Sequence, residues 1–283
     1  MSLHRIYKCY LGLGSLLLIA SCVSISTPSQ REVAANMLAE HKGWHTQHIN
    51  TQKFDLVSYA PVPTSDESVL TVYIEGDGLA WRTRSTPSSD PTPTNPIGLK
   101  LALAHPSGNA VYLARPCQYV GGAAARGCSK TYWTNKRFAK EVIEASDEAL
   151  TTLKLKFGAR HLQLVGYSGG GAVAALLAAK RDDVIRLVTV AGNLDHQAWT
   201  DANHISHLEG SLNPADYWQA LTKIQQVHFV GENDLIIGTV VAASYRQNFS
   251  DPHQIKIITL PNIDHHCCWV EQWPTLWSNN IQP

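Results

Sequence analysis

The stretch HLQLVGYSGGGAVAALLAAK, residues 161–180, decides the fold. His161–Gly166 is a short apolar run of the kind that forms a buried strand, and Gly170–Lys180 is an Ala/Leu-rich segment that reads as a helix. Between them lies Gly166-Tyr167-Ser168-Gly169-Gly170, a G-x-S-x-G pattern placed where a strand must reverse sharply into a helix. Such a turn forces its central residue into a strained backbone conformation, which small neighbours on both sides permit. The Ser168 hydroxyl is thereby lifted above the sheet, beside a helix N-terminus whose free N–H groups favour a developing oxyanion.

Outward from this unit, Val69–Glu75, Ala110–Ala114, Val184–Val190, Val227–Val230 and Ile255–Leu260 are further strand candidates. Phe138–Phe157 carries Val142, Ala145, Ala149, Leu153 and Phe157 at helical spacing, and Gly238–Phe249 fills the interval between two strands as another helix. Strands alternating with helices, most of them near-continuous apolar runs, predict an α/β architecture with a mostly parallel, doubly wound sheet covered on both faces. Two stretches break the alternation. Thr83–Pro96 holds four prolines and reads as a loop, whereas Asn193–Tyr217 is a polar and aromatic insertion placed to act as a small cap.

A serine hydroxyl becomes a nucleophile only when a neighbouring base accepts its proton. Asp234 falls just past the strand VHFV, and His265 just past IKIITL. With Ser168 both belong at the carboxyl ends of strands, where open α/β sheets place their sites. In the order Ser, Asp, His, and in the segments GYSGG, GENDLI and DHHCCW, the chain resembles the α/β-hydrolases from about Lys53 to its end. The resemblance implies Ser168 as nucleophile, Asp234 as the orienting acid and His265 as the general base. Asp195, after VIRLVTV, is an alternative acid, and His266 an alternative base. It further implies an oxyanion hole built from the amides of Gly169 and Asp77. At the second of these positions the family commonly has His-Gly-x, whereas this chain has Glu75-Gly76-Asp77. A carboxylate beside an oxyanion would hinder unless it points away.

The N-terminus carries a different signal. His4, Arg5 and Lys8 precede the apolar run YLGLGSLLLIA, which is too short to span a bilayer and has the proportions of a secretory signal. Ile19-Ala20-Ser21-Cys22 resembles the lipobox of bacterial lipoproteins, which implies cleavage before Cys22 and acylation of that residue; Val23, where an Asp would resemble an inner-membrane retention signal, points to the outer membrane of the cell envelope, facing the periplasm or the surface. The expected organisation is a signal peptide over 1–21, a lipid-anchored tether and lead-in over 22–52, and an α/β-hydrolase domain over 53–283 with 193–217 as its cap. Export would leave Cys117, Cys128, Cys267 and Cys268 in an oxidising compartment, where Cys117–Cys128 and Cys267–Cys268 are the expected disulfides, other pairings remaining formally open.

Over 283 residues the chain is 44% hydrophobic and 16% charged, with 23 basic residues balancing 23 acidic ones. It can bury a sizeable core and lacks the basic surplus of a nucleic-acid binder. Histidine pairs such as His45/His48 and His204/His207 come without accompanying carboxylate or thiolate ligands, so no metal site is expected, and no organic cofactor is implied. The sequence thus points to an exported serine hydrolase acting on an ester of a small or lipid-like acyl group. A peptidase or amidase of the same fold is the enzymatic alternative, and a catalytically silent envelope binding module is the other.

Overall fold

The computed structural model describes residues 25–63, 68–251 and 254–281. The expected signal peptide and the lipidation site Cys22 lie outside these residues. One eight-stranded sheet runs through the chain: β1 (His45–Asn50), β2 (Asp55–Ala60), β3 (Val69–Ile74), β4 (Asn109–Leu113), β5 (His161–Tyr167), β6 (Val184–Val190), β7 (Gln225–Gly231) and β8 (Ile255–Leu260). Their spatial order is β1-β2-β4-β3-β5-β6-β7-β8. β1 pairs antiparallel with β2 and β2 with β4, while β4, β3 and β5 through β8 are parallel throughout. The order reverses at β3, β4 and β5, so the carboxyl ends of β3 and β5 open onto a switch point, the usual position of a site in such sheets.

Both faces of the sheet are covered because consecutive residues of the parallel strands are apolar and point alternately into two cores. Val72, Leu164 and Leu187 point into one core with α3 (Lys140–Lys156) and α4 (Gly169–Lys180). Tyr73, Val165 and Val188 point into the other, which holds residues of α1 (Pro28–Glu40), α2 (Ile97–Leu103) and α8 (Trp269–Asn280). The remaining helices are α5 (His196–Ala202), α6 (Trp218–Leu221) and α7 (Gly238–Gln247). Among the described residues no helix is long and apolar enough to cross a membrane.

Segment 22–52, read from the sequence as tether and lead-in, carries α1 and β1. Thr27 caps α1 through a capping box, Ala35 and Ala39 are buried, and Arg31 reaches Asp90 at 3.5 Å. β1 is then the outermost strand, registered His45 opposite Ala60 and Asn50 opposite Asp55. The insertion 193–217 forms α5 and a 3-10 turn at Pro214–Tyr217, and is bonded to the segment before α3 through Leu212 N–H to Phe138 O, 3.0 Å, and Ser211 Oγ to Asn135 O, 2.7 Å. Both expected disulfides are present.

Candidate active site

β5 ends at Tyr167 and α4 begins at Gly169, leaving Ser168 alone at the turn with φ 51° and ψ −121°. A non-glycine residue with positive φ is strained, and the surroundings hold it there. Ser168 N–H donates to Val190 O at 2.9 Å, while its own carbonyl accepts from Gly171 and Asn193 at 2.9 and 3.0 Å. The glycines around it are dictated by backbone approach. A Cβ on Gly166 would stand 2.3 Å from Gly170 O, and one on Gly170 would stand 2.3 Å from Ile74 O.

His265 lies in the loop after β8 and is buried. Its Nε2 is 3.0 Å from Ser168 Oγ and its Nδ1 is 2.8 Å from Asp234 Oδ2. Asp234 follows β7 and is 4% exposed. Burial pushes its carboxyl up, but the His265 contact and the Ile236 and Ile237 amides donating to Oδ1 at 2.8 and 2.9 Å outweigh this, and the net shift is downward. An ionised Asp234 only accepts, so Nδ1 must carry the imidazole proton. Nε2 is thereby free to accept from the Ser168 hydroxyl.

Several residues without a local sequence signal hold the His265 segment. Tyr167 Oη donates to the His265 carbonyl at 2.9 Å, and Trp269 Nε1 donates to the same oxygen at 3.2 Å. Asp264 Oδ1 accepts from the amides of His266 and Cys267 at 2.7 and 2.6 Å, and these bonds lower its carboxyl pKa. The Cys267–Cys268 bridge follows at once, with Cys268 in the left-handed region (φ 75°) as the residue that precedes α8.

The alternative candidates sit elsewhere in the network. Asp195 caps α5, Oδ1 accepting from Gln197, Ala198 and Asn213, and Oδ2 accepting from Ser244 Oγ at 2.6 Å. His266 is exposed, with Nδ1 3.3 Å from Tyr167 Oη.

The segment Glu75-Gly76-Asp77, expected to supply an oxyanion donor, follows β3. The Gly76 carbonyl accepts from Gln118 Nε2 at 2.9 Å, so in a planar trans peptide the Asp77 N–H points the opposite way. Gly76 itself packs against the serine: an added Cβ would lie 3.3 Å from Ser168 Cβ. Glu75 secures the segment from below, Oε1 accepting from the amides of Gly76 and Gly98 at 2.9 and 3.1 Å, and Oε2 from Leu99 at 3.3 Å. Burial raises its pKa, and those bonds oppose the rise. The Asp77 side chain turns toward Arg115 and Arg137, with Oδ1 3.3 Å from Arg115 Nη1 and Oδ2 2.6 Å from Arg137 Nη1. Neither arginine was singled out from the sequence. Among the described residues no group of three or more His, Cys, Asp or Glu side chains is arranged to hold a metal ion.

The architecture is the α/β-hydrolase fold. Solved structures with the same arrangement include an α/β serine hydrolase without a lid from Xanthomonas campestris, 13% identical with a TM-score of 0.55, covering 85% of this chain and 97% of that one. A Pyrococcus furiosus esterase is 11% identical with a TM-score of 0.57, covering 86% of this chain and 90% of its own. A membrane phospholipase A described as a bacterial virulence factor is 12% identical with a TM-score of 0.56, covering 89% and 90%. No protein-family model matches the sequence. No curated protein matches it either.

Proposed function

We propose that this chain is a serine hydrolase that cleaves carboxylic esters through an acyl-enzyme. The observation that carries the reading is the continuous hydrogen-bonded chain from Ser168 Oγ through His265 to Asp234, anchored at a serine held in a strained turn. Ser168 Oγ attacks the ester carbonyl while His265 Nε2 takes its proton. Asp234 holds the imidazole in the required tautomer and stabilises the imidazolium. The Gly169 and Asp77 amides receive the oxyanion. His265 returns the proton to the leaving alcohol, and water, activated by the same imidazole, releases the acid.

An ester of a lipid-like or small acyl group is the preferred substrate class. Leu235 and Ile236, exposed by 91% and 43%, stand directly after Asp234, and Trp199 Nε1 donates to Ile236 O at 2.7 Å. These apolar groups beside the site suit an acyl chain. The sequence of residues 1–22 supports an exported, lipid-anchored protein of the bacterial envelope, where such substrates are at hand.

Fluorophosphonate labelling of the purified protein tests the reading, with mass spectrometry to locate the adduct and Ser168→Ala as control. An adduct on Ser168 is expected, followed by turnover in an ester chain-length series. A folded, disulfide-intact protein that fails to label refutes the hydrolase and leaves the silent binding module. Labelling with turnover of amides but not esters turns the reading to a peptidase or amidase.

A further inference from the structure

Arg115 and Arg137 are both buried, with side chains 5% and 7% exposed, and both contact the carboxylate of Asp77, which is 19% exposed. Arg115 Nη2 also donates to the Arg137 carbonyl, and Arg137 Nε donates to Thr134 O at 2.6 Å. The Arg115 guanidinium lies over the Phe138 ring at 5.4 Å, and that of Arg137 over Trp199 at 5.6 Å. By contact, two buried cations share one carboxylate. Glu75, whose charge also acts on Arg115, makes its hydrogen bonds to the amides of Gly76, Gly98 and Leu99 and none to either guanidinium. Burying a guanidinium is costly unless it is paired, so two of them converging on one carboxylate is an unusual feature to keep.

Its place explains it. A Cβ on Gly169 would fall 2.1 Å from Asp77 Oδ1, so the carboxylate lies against the residue whose amide begins α4. Left alone, this carboxylate would face the developing oxyanion as a like charge. We propose that Arg115 and Arg137 are positioning residues that clamp and neutralise Asp77. The residue then supplies its backbone amide to the oxyanion hole, and the clamp keeps its carboxylate from repelling the charge that develops in the transition state. Interactions satisfied in the transition state and not in the ground state raise kcat and leave KM nearly unchanged. This inference rests on the hydrolase reading and adds to it the origin of its electrostatics.

The test is a double-mutant cycle on the full chain, with kcat and KM measured on a soluble short-chain ester and folding checked by circular dichroism. Arg137→Gln frees the carboxylate on one side and is expected to lower kcat on the order of 30–100-fold, with KM within about threefold. Asp77→Asn removes the clamp together with the unwanted charge and is expected to cost only about tenfold. The diagnostic variant is Asp77→Asn/Arg137→Gln, expected to be faster than Arg137→Gln alone, because the exposed negative charge is gone. A merely structural arginine would leave the double variant as slow as the single, or slower, and that result overturns the proposal. An Arg137→Gln kcat within threefold of wild type overturns it equally. If Arg137→Gln does not fold, Arg137→Lys retains the charge at shorter reach and is expected to lose three- to tenfold in kcat; unchanged kcat there overturns the proposal. Wild-type labelling at Ser168 by fluorophosphonate separates the two failures, since the hydrolase reading falls only if that labelling is absent.

Discussion

Replacing Gly170 by alanine sets two physical effects against each other with opposite signs. Gly170 is in the first turn of α4, where alanine is the better helix former by up to ~1 kcal/mol. Propensity alone therefore predicts a more stable protein. Against this, the new Cβ would lie 2.3 Å from Ile74 O and 2.4 Å from Glu75 O, both of them backbone atoms at the end of a central strand. An ordinary C···O approach needs about 3.3 Å, so α4 must withdraw from β3 by roughly 1 Å. Overpacking of this kind costs about 1–3 kcal/mol, and an obstacle of two backbone carbonyls belongs at the upper end. The net expectation is a loss of about 2 kcal/mol, read as a lower urea midpoint at unchanged m-value. The same withdrawal moves the Gly169 amide and the Glu75–Asp77 segment apart. Ester hydrolysis should therefore fall about 10–100-fold, less than for complete removal of an oxyanion donor. A Gly170→Ala protein with an equal or higher midpoint would show that the β3–α4 approach yields freely, and that the close packing at the turn is not what positions Ser168.

Three further outcomes follow from other parts of the molecule. Burial pushes the imidazole of His228 down to about 3, so as pH falls below about 6.5 the unfolded chain binds a proton that the native chain refuses. Stability held at neutral pH is then lost on acidification, by roughly 2.5–3 kcal/mol between pH 7 and 4.5; His228→Gln should flatten that profile in urea titrations, and an unchanged slope would exclude the histidine as its source. Asp234→Asn should lower kcat on the order of 10³–10⁴-fold with little change in KM, since an asparagine that donates to Nδ1 selects the wrong tautomer; steady-state kinetics measure this, and a loss below tenfold would remove Asp234 from the role. Cys117→Ser/Cys128→Ser opens a loop with a sequence separation of 11 and should cost roughly 2.5–3 kcal/mol in denaturant, whereas a loss under 1 kcal/mol would place the loop's order in its hydrogen bonds.

The parallel centre of the fold was legible because its strands are apolar on both faces and its turn residues are forced. Gly166 and Gly170 mark a backbone reversal where a Cβ would strike main-chain atoms, and Asp234 and His265 each stand within a few residues of a strand end. The edge was not legible. β1, with the sequence HTQHIN, is mostly polar because it is the outermost strand with a largely solvated surface, so neither its period nor its composition separates it from a lead-in. Helix α8 contains Pro274, which argues against a helix locally. It is held by the buried Trp269, Trp273 and Trp277, with Trp273 Nε1 donating to Tyr73 Oη at 2.9 Å. Within the site, Arg115 and Arg137 carried no signal, because their meaning lies in meeting Asp77 across 38 and 60 residues of chain.

The disulfide beside the histidine gives the site a date of assembly. His265, the Asp264 turn and the first residue of α8 are consecutive with Cys267 and Cys268, so the bridge, formed when two thiols lose their hydrogens to an oxidant, ties down the backbone next to His265. Chain made in a reducing compartment can complete the strand, the elbow and Ser168 before this last segment is closed. On the proposed reading Ser168 is placed by folding alone, whereas the His265 segment is closed by oxidation. Preparations oxidised with a glutathione couple and preparations kept in dithiol should differ in specific activity before they differ in secondary structure.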